Sequence, residues 1–368
     1  MAELTVKDLM KRYESGRARR RLWEPHWQDI AEHLIPRKAT ISVTNASGQE
    51  RQDQRFSSEG MHSHELLAAN LQGTLTSRAF RWFDIRMSAE EMWKRPIVRQ
   101  WFQDVSRDMW ETTNRSNFQS QSHEFYLDIT GLGTGHMLED ESRQTPGEFV
   151  FTTYPIQNYV FEEDAEGRPY ATCIELMFTL DQAMERFGVD NLPGKLLAEA
   201  KRTPDKQFPF LRWIMPRRIR DAATDNRQNR PWASIYISIE GEQIVEEGGY
   251  HEFPSLIARW SKNTGEQYGR GPGNTALPDM KTLDKATELG LDAWAKIIDP
   301  PLKIKDDGVV GDIDNRTGGF TVVREMNDIQ PLDNGAARNL GSSEIKIEAL
   351  QLSIRRAFFA DQLQLPKL

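Results

Sequence analysis

Apolar residues recur at helical spacing through the first 140 positions, and the period then changes to two. Val6, Leu9, Met10 and Tyr13 follow Thr5-Val6-Lys7-Asp8, a capping-box pattern that predicts a helix start. Trp23, Trp27, Ile30 and Leu34 share a second helical face that Pro36 stops. Residues 37–56, with Ser42, Asn45, Ser47 and Gly48, read as a polar loop. Met61, His64, Leu67, Ala68, Leu71 and Leu75 mark a third helix, closed by the extended segment Arg81-Trp82-Phe83-Asp84-Ile85. Further helices are predicted at about 95–113 and 117–130.

From about 148 the alternation predicts strands. Phe149–Tyr154 and Asn158–Phe161 are the first two, with a turn at Glu166-Gly167. A short helix over Leu180–Phe187 follows, N-capped by Thr179. Strands return at about 210–218, 233–239, 242–248 and 252–259, with Glu240-Gly241 as a hairpin turn. Strands cluster instead of alternating strictly with helices, so the expected class is α+β.

The last hundred residues follow another plan. Leu277, Met280, Leu283, Leu291, Trp294 and Ile298 form a near-heptad stripe on a helix from about 277 to 298, roughly 33 Å long at about 1.5 Å per residue. Asp299-Pro300-Pro301 ends it, since proline lacks the amide donor and biases its predecessor away from helix. An excursion from about 302 to 340 carries Gly308, Gly311, Gly318, Gly319, Gly335 and, at its end, Gly341, with a short strand at Thr321-Val322-Val323. Helix resumes after Ser342-Ser343, with Ile347, Leu350, Ile354 and Phe358 on one face and Pro366 as its outer limit. One helix out and one back predict a stalk carrying a small distal lobe.

Charge changes the functional picture. The formal net charge of −8 argues against a protein that grips nucleic acid by neutralising phosphates, though not against one that DNA slides past. The run Arg17, Arg19, Arg20, Arg21 reads as a solvated face or a partner for acidic neighbours rather than a DNA contact. The single cysteine, Cys173, lies in the alternating stretch 171–176 and reads as a buried small residue; it excludes an intramolecular disulfide. No run of 18 apolar residues predicts a membrane span, and the start lacks a signal-peptide core, so a soluble, intracellular protein is expected.

Candidate chemistry is sparse. Tyr268-Gly269-Arg270-Gly271-Pro272-Gly273 fails as a phosphate loop, because no Lys-Ser/Thr follows and Pro272 removes a backbone donor. Gly131-Leu132-Gly133-Thr134-Gly135 follows helical sequence instead of a strand, which speaks against a dinucleotide fingerprint. His62 and His64 diverge on a helix, while His26 and His33 share a face but lack completing ligands. Asp306-Asp307 and Asp312/Asp314 read as solvated acids, not a metal site. No Ser/His/Asp order stands out. No catalytic, cofactor-binding or metal-ligating residue is assigned.

Pro254-Ser255-Leu256-Ile257-Ala258-Arg259-Trp260, Gly265–Gly273 and Ala276-Leu277-Pro278-Asp279 together resemble the portal, or head-to-tail connector, family of short-tailed bacteriophages. Supporting matches run in order along the chain: Trp23, Trp27 and Pro36, then 67–71, 81–83 and 131–135. Downstream are Asp299-Pro300-Pro301-Leu302, Asp306-Asp307-Gly308, Pro331-Leu332 and 354–359. The resemblance implies a portal fold: a wing over 1–270 (helical over 1–140, α+β over 141–270), a first stem helix over 271–299 and a small β-containing clip over 300–341. A second stem helix and the start of the next segment would occupy 342–368. It further implies a ring, usually of twelve copies, at one capsid vertex, through which double-stranded DNA is packaged and ejected. Terminase large subunit and tail adaptor proteins would dock on the clip, and major capsid and scaffolding proteins would be neighbours in a virion assembled in host cytoplasm. On this reading Leu277, Met280, Leu283, Leu291, Trp294 and Ile298 face a neighbouring subunit. Asp279, Asp284, Glu288 and Asp292 are candidate channel-lining residues beside Lys281, Lys285 and Lys296. Asp306, Asp307, Asp312 and Arg316 are candidate docking residues. Family members usually continue past the second stem helix into a tunnel loop, further wing and a crown. Because Leu365-Pro366-Lys367-Leu368 follows so soon after that helix, the crown is expected to be absent from this chain. A capsid or tail adaptor without a DNA channel, and a metal-dependent nuclease using the acids at 306–314, are the competing readings; neither a cofactor nor a membrane is implied.

Overall fold

A computed structural model describes residues 5–43, 55–143, 145, 147–200, 203, 205–221, 224, 226–306, 312–314, 321–325, 327–332 and 336–363. Helix α1 (Val6–Arg21) opens with the expected capping box: Thr5 Oγ1 accepts from Asp8 N, and the Asp8 carboxylate accepts from Thr5 N. Then come α2 (Glu24–Leu34), α3 (Glu59–Leu75), the single turn α4 (Glu90–Trp93), α5 (Pro96–Arg115) and α6 (Phe118–Leu132). The expected helix faces are the buried ones: Leu9 and Tyr13 on α1, Trp27, Ile30 and Leu34 on α2, His64, Leu67 and Ala68 on α3.

The first strand arrives earlier than expected. Strand β1 (Thr134–Glu141) pairs antiparallel with β2 (Phe149–Tyr154) on one side and, after a long detour, with β8 (Ser255–Arg259) on the other. The reading of residues 1–140 as mainly helix therefore ends at about 133. The first five residues of β1 are all buried, so they lack the alternation that reveals a half-exposed strand. The second sheet is an antiparallel meander of β3 (Tyr159–Glu163), β4 (Pro169–Phe178), β5 (Phe208–Pro216), β6 (Trp232–Ser238) and β7 (Gln243–Tyr250). Cys173 sits wholly buried in β4, and burial pushes its thiol pKa well up, as befits a packing residue. Helix α7 (Leu180–Phe187) is capped by Thr179 with Gln182 reciprocating, and α8 (Gly194–Ala200) packs beside it.

Helix α9 runs from Pro272 to Ile298, 27 residues or about 40 Å. The chain then forms β9 (Leu302–Ile304), which pairs antiparallel with β10 (Ile329–Pro331). The strand expected at Thr321-Val322-Val323 is corrected: Val323 contributes a lone bridge, and the lobe is closed by the segments nearest the two helices. Helix α10 (Ala336–Ala357) starts six residues before Ser342, because Ala336 to Leu340 are good helix formers apart from Asn339. Helix α11 (Ala360–Leu363) follows a turn at Phe359. Asp279 of α9 meets Ser353 of α10, so the two long helices run antiparallel.

One core joins these parts. Trp27, Leu34, Leu67, Leu127, Tyr159, Phe161 and Tyr268 pack in the same cluster as Leu277, Met280 and Leu283 of α9 and Ile354 and Phe358 at the end of α10. Tyr268 lies edge-on to Trp27 at 4.9 Å and to Phe161 at 5.2 Å.

The two glycine strings meet here. Gly133 caps α6 at φ +86°, a left-handed conformation that costs a side-chain-bearing residue strain. A methyl group there would stand 2.7 Å from Arg270 Cα. Across the same contact, a methyl on Gly273 would collide with the Gly131 carbonyl oxygen and lie 2.8 Å from Leu34 Cδ1. Thr134 Oγ1 accepts from Gly269 N (2.8 Å), Gly133 O accepts from Trp260 N (3.0 Å) and Ser261 O accepts from Arg270 N (2.8 Å), so buried backbone groups at the crossing are paired.

Gly273→Ala is therefore expected to lower stability by about 1–3 kcal/mol in urea unfolding, because the blocking atom is backbone. Gly73→Ala, at an exposed position of α3 with nothing within 4 Å, should raise stability by up to about 1 kcal/mol. Equal midpoints for the two variants would mean that the crossing is not close-packed.

Candidate functional site

The paired helices α9 and α10 and the lobe they carry form the candidate site. Their inner ends are tied to the body from several sides. Gly271 N donates to Asn274 Oδ1 (2.7 Å), capping α9, and Asn274 Nδ2 donates to His26 Nε2 on α2 (2.9 Å). Lys281 pairs with Asp29 of α2 at 2.7 Å. Arg355 of α10 grips Glu59 in the first turn of α3 through two bonds, 2.6 and 3.0 Å, the strong bidentate form of the pair.

These contacts sort the stripe residues into two groups. Leu277, Met280 and Leu283 are 6, 4 and 1% exposed, inside the chain's own core. A side chain already stripped of water has almost no surface left to bury against another subunit, so these three are corrected from interface to internal core residues. Leu291, Trp294 and Ile298, continuing the same stripe, are 55, 50 and 73% exposed. Helices α2, α3 and α6 cover the first half of α9 and do not reach the second. Leu289, Ile297 and, on α10, Ile345 and Leu352 are also exposed and were not singled out from sequence. Their signal was present as apolar residues off the main stripe of helices expected to stand clear of the body.

The acidic candidates divide similarly. Asp279 Oδ2 accepts from Ser353 Oγ (2.6 Å). Asp284 Oδ1 accepts from Phe56 N (3.3 Å) and Ser57 N (2.9 Å), while its Oδ2 lies 3.6 Å from His33 Nε2. Both carboxylates are partly exposed and also serve joints within the chain. Glu288 pairs with Lys285 at 2.8 Å, and Asp292 is exposed.

In the lobe, Asp306 and Asp312 are exposed, while Asp307 and Arg316 lie outside the described residues. The residue that organises this region was missed. Asp328 is 4% exposed, its Oδ2 accepts from Glu325 N (2.8 Å) and its carbonyl accepts from Lys305 N (3.0 Å). Of the arginine run, Arg17, Arg19 and Arg21 are exposed as expected, but Arg20 is buried, bonded to Glu24 (3.0 Å) and to the Tyr159 carbonyl (2.9 Å).

Among the described residues no group of three His, Cys, Asp or Glu is placed to hold a metal ion, and no helix is long and apolar enough to cross a membrane. His64 lies under the end of α10, its Nε2 on the Leu127 carbonyl (3.0 Å) and its ring 5.7 Å from Phe358. Burial lowers its pKa to about 4, and lowers that of His136, sealed among Tyr154, Tyr159 and Arg212, to about 3.

The consequence for stability has a definite sign. The unfolded chain takes up these protons near pH 6.5, before the folded one does. Stability is thus complete above pH 6.5 and falls as pH drops toward 4, by about 1.4 kcal/mol per unit of difference for each group. Urea midpoints should decline over that window, and His64→Gln should make the decline shallower. An unaltered slope in the variant would place the proton uptake elsewhere.

The family model for bacteriophage head to tail connecting protein matches residues 6–367. A probable portal protein of Bordetella phage BPP-1 is 26% identical over 377 residues, covering 98% of this chain and 66% of the relative. The portal protein of Salmonella phage epsilon15 is 26% identical over 309 residues, covering 82% of this chain and 55% of the relative. The chain thus spans about two thirds of the length of one relative and about half of the other. With a match that runs through both glycine strings, both long helices and the lobe between them, this chain belongs to the bacteriophage head to tail connecting protein family.

Proposed function

We propose that the chain is a portal subunit, a structural protein and not an enzyme, acting in a closed ring of twelve copies at one capsid vertex. The observation that carries this reading is the exposed outer half of α9. Leu291, Trp294 and Ile298 continue a stripe whose inner half is core, so they are patterned for burial yet stay half or more exposed among the described residues. In a ring each subunit offers this stripe to its neighbour through a heterologous contact that closes on itself.

The wing corresponds to 1–270, the stem helices to α9 and α10, and the clip to the lobe around β9 and β10. DNA passes through the channel during packaging and ejection. Asp279, Asp284, Glu288 and Asp292 are the channel-lining candidates, with Lys285 paired to Glu288. Asp306, Asp307, Asp312 and Arg316 are proposed for docking of terminase large subunit and then the tail adaptor. Major capsid and scaffolding proteins are the neighbours in the virion, which assembles in host cytoplasm.

Electron microscopy of purified protein should show closed rings with a hole wide enough for duplex DNA, and a persistent monomer across salt and concentration would refute the ring. Trp294→Ala and Leu291→Asp should weaken assembly by several kcal/mol per subunit while leaving the monomer's unfolding midpoint almost unchanged. Leu283→Asp should instead unfold the subunit. Wild-type ring yields from the Trp294 and Leu291 variants would show that this stripe is not the contact.

A further inference from the structure

A second site lies in the wing, away from the stem. A cavity of about 330 Å³ opens between one face of the meander and the β1–β2 hairpin, within the usual size range of small-molecule sites, roughly 300–1,000 Å³. Its floor is built from alternate residues of three strands: Arg212 of β5, Ser234 and Tyr236 of β6, and Glu246, Gly248 and Tyr250 of β7. Asp140 to Arg143, Arg186 and Arg227 form the walls.

Part of this cluster is self-sufficient. Arg212 is buried, donates to Asp140 Oδ2 (2.8 Å) and to Tyr250 OH, and lies over the Tyr236 ring at 5.0 Å. Arg143 pairs with Glu246 Oε1 at 2.5 Å. Other groups are left over. Arg186 Nε is buried without a hydrogen-bond partner, although its Nη2 reaches Tyr236 OH. Glu246 Oε2 is likewise buried and unpartnered. Arg227 is exposed at the rim and makes no ion pair with any described residue. A buried polar group without a partner is costly, and the two residues that carry one here, Arg186 and Glu246, both line the cavity. Four arginines against Asp140, Glu141 and Glu246 make the lining net positive in a chain whose formal charge is −8.

The floor also has a gap that packing does not explain. Gly248 lies mid-strand, where glycine weakens a sheet, and an added Cβ would meet nothing within 4 Å. Gly248 pairs directly with Ser234, whose hydroxyl accepts from Arg212 Nε (3.4 Å) on the cavity side. Directly opposed residues of an antiparallel pair point to the same face, so any side chain at 248 would project into the cavity beside Arg212. The missing side chain is the space a ligand would fill.

We infer that this cavity binds a phosphate group, free or as the phosphoryl end of a nucleotide. Its oxyanions accept from the guanidinium groups of Arg186 and Arg227, the chemistry for which guanidinium is suited. Calorimetric titration of the purified protein with inorganic phosphate and, separately, with a nucleoside 5′-monophosphate should show saturable binding at one site per chain. Saturation by inorganic phosphate identifies free phosphate as sufficient, and saturation by the nucleotide alone identifies a phosphoryl compound. Gly248→Val should keep or raise the unfolding midpoint and abolish binding. Arg227→Gln, a change at an exposed position, should weaken it about tenfold. No saturable binding of either probe up to about 10 mM, or wild-type affinity in both variants, would overturn the site.

Discussion

The backbone-on-backbone crossing of residues 131–135 and 269–273 governs the rest of the molecule. It places the end of α6, the start of β1 and the start of α9 within van der Waals reach, with glycine where a side chain would separate them. The bonds from Gly269 to Thr134, Trp260 to Gly133 and Arg270 to Ser261 lock the approach, and the adjacent Tyr268 sets its ring edge-on against Trp27. Because α9 begins inside this contact, its direction is fixed by the wing before its first turn is complete. Arg355 on Glu59 and Ser353 on Asp279 then fix α10 against the same frame. The inner ends of α9 and α10 are accordingly packed into the same core as the rest of the chain.

Features encoded by short-range rules were legible in the sequence. The capping boxes at Thr5 and Thr179, the faces of α2 and α3 and the hairpin at Glu240-Gly241 depend on residues within one or two turns of one another. Strand β1 was not legible, since a strand covered on both faces and both edges loses the alternation that identifies it. The two glycine strings could be excluded as nucleotide loops, but what they do is non-local. Each is the complement of the other, 138 positions apart between Gly133 and Gly271, and neither alone carries that information. The cavity over the meander was equally hidden, because Arg212, Ser234, Glu246 and Gly248 become neighbours only through the register of β5, β6 and β7.

The stem illustrates the limit of periodicity more sharply. A stripe of Leu277, Met280, Leu283, Leu291, Trp294 and Ile298 states that one face of α9 avoids water, not what covers it. In the structure the cover changes partway along: the first three residues are sealed in the core, while the last three stay half or more exposed among the described residues. The first three therefore contribute to the stability of the subunit, and only the last three can contribute to an assembly. Substitutions in the two halves are expected to separate folding from association, a distinction invisible to a helical wheel.

The same division reshapes the electrostatics of the proposed channel. Asp279 and Asp284 are tied to hydroxyl and amide donors within the subunit, and Lys281 is tied to Asp29. From 285 onward the exposed stretch of α9 carries Lys285, Glu288, Asp292 and Lys296, two charges of each sign. Any net charge on a stem is multiplied by the number of subunits around a ring, and a strongly basic lining would hold DNA by releasing its counterions. A strongly acidic lining would oppose its passage. Near-neutral stems generate neither penalty. On this argument the excess acidity of the chain resides outside the outer half of α9, whose charges balance as the proposed channel requires.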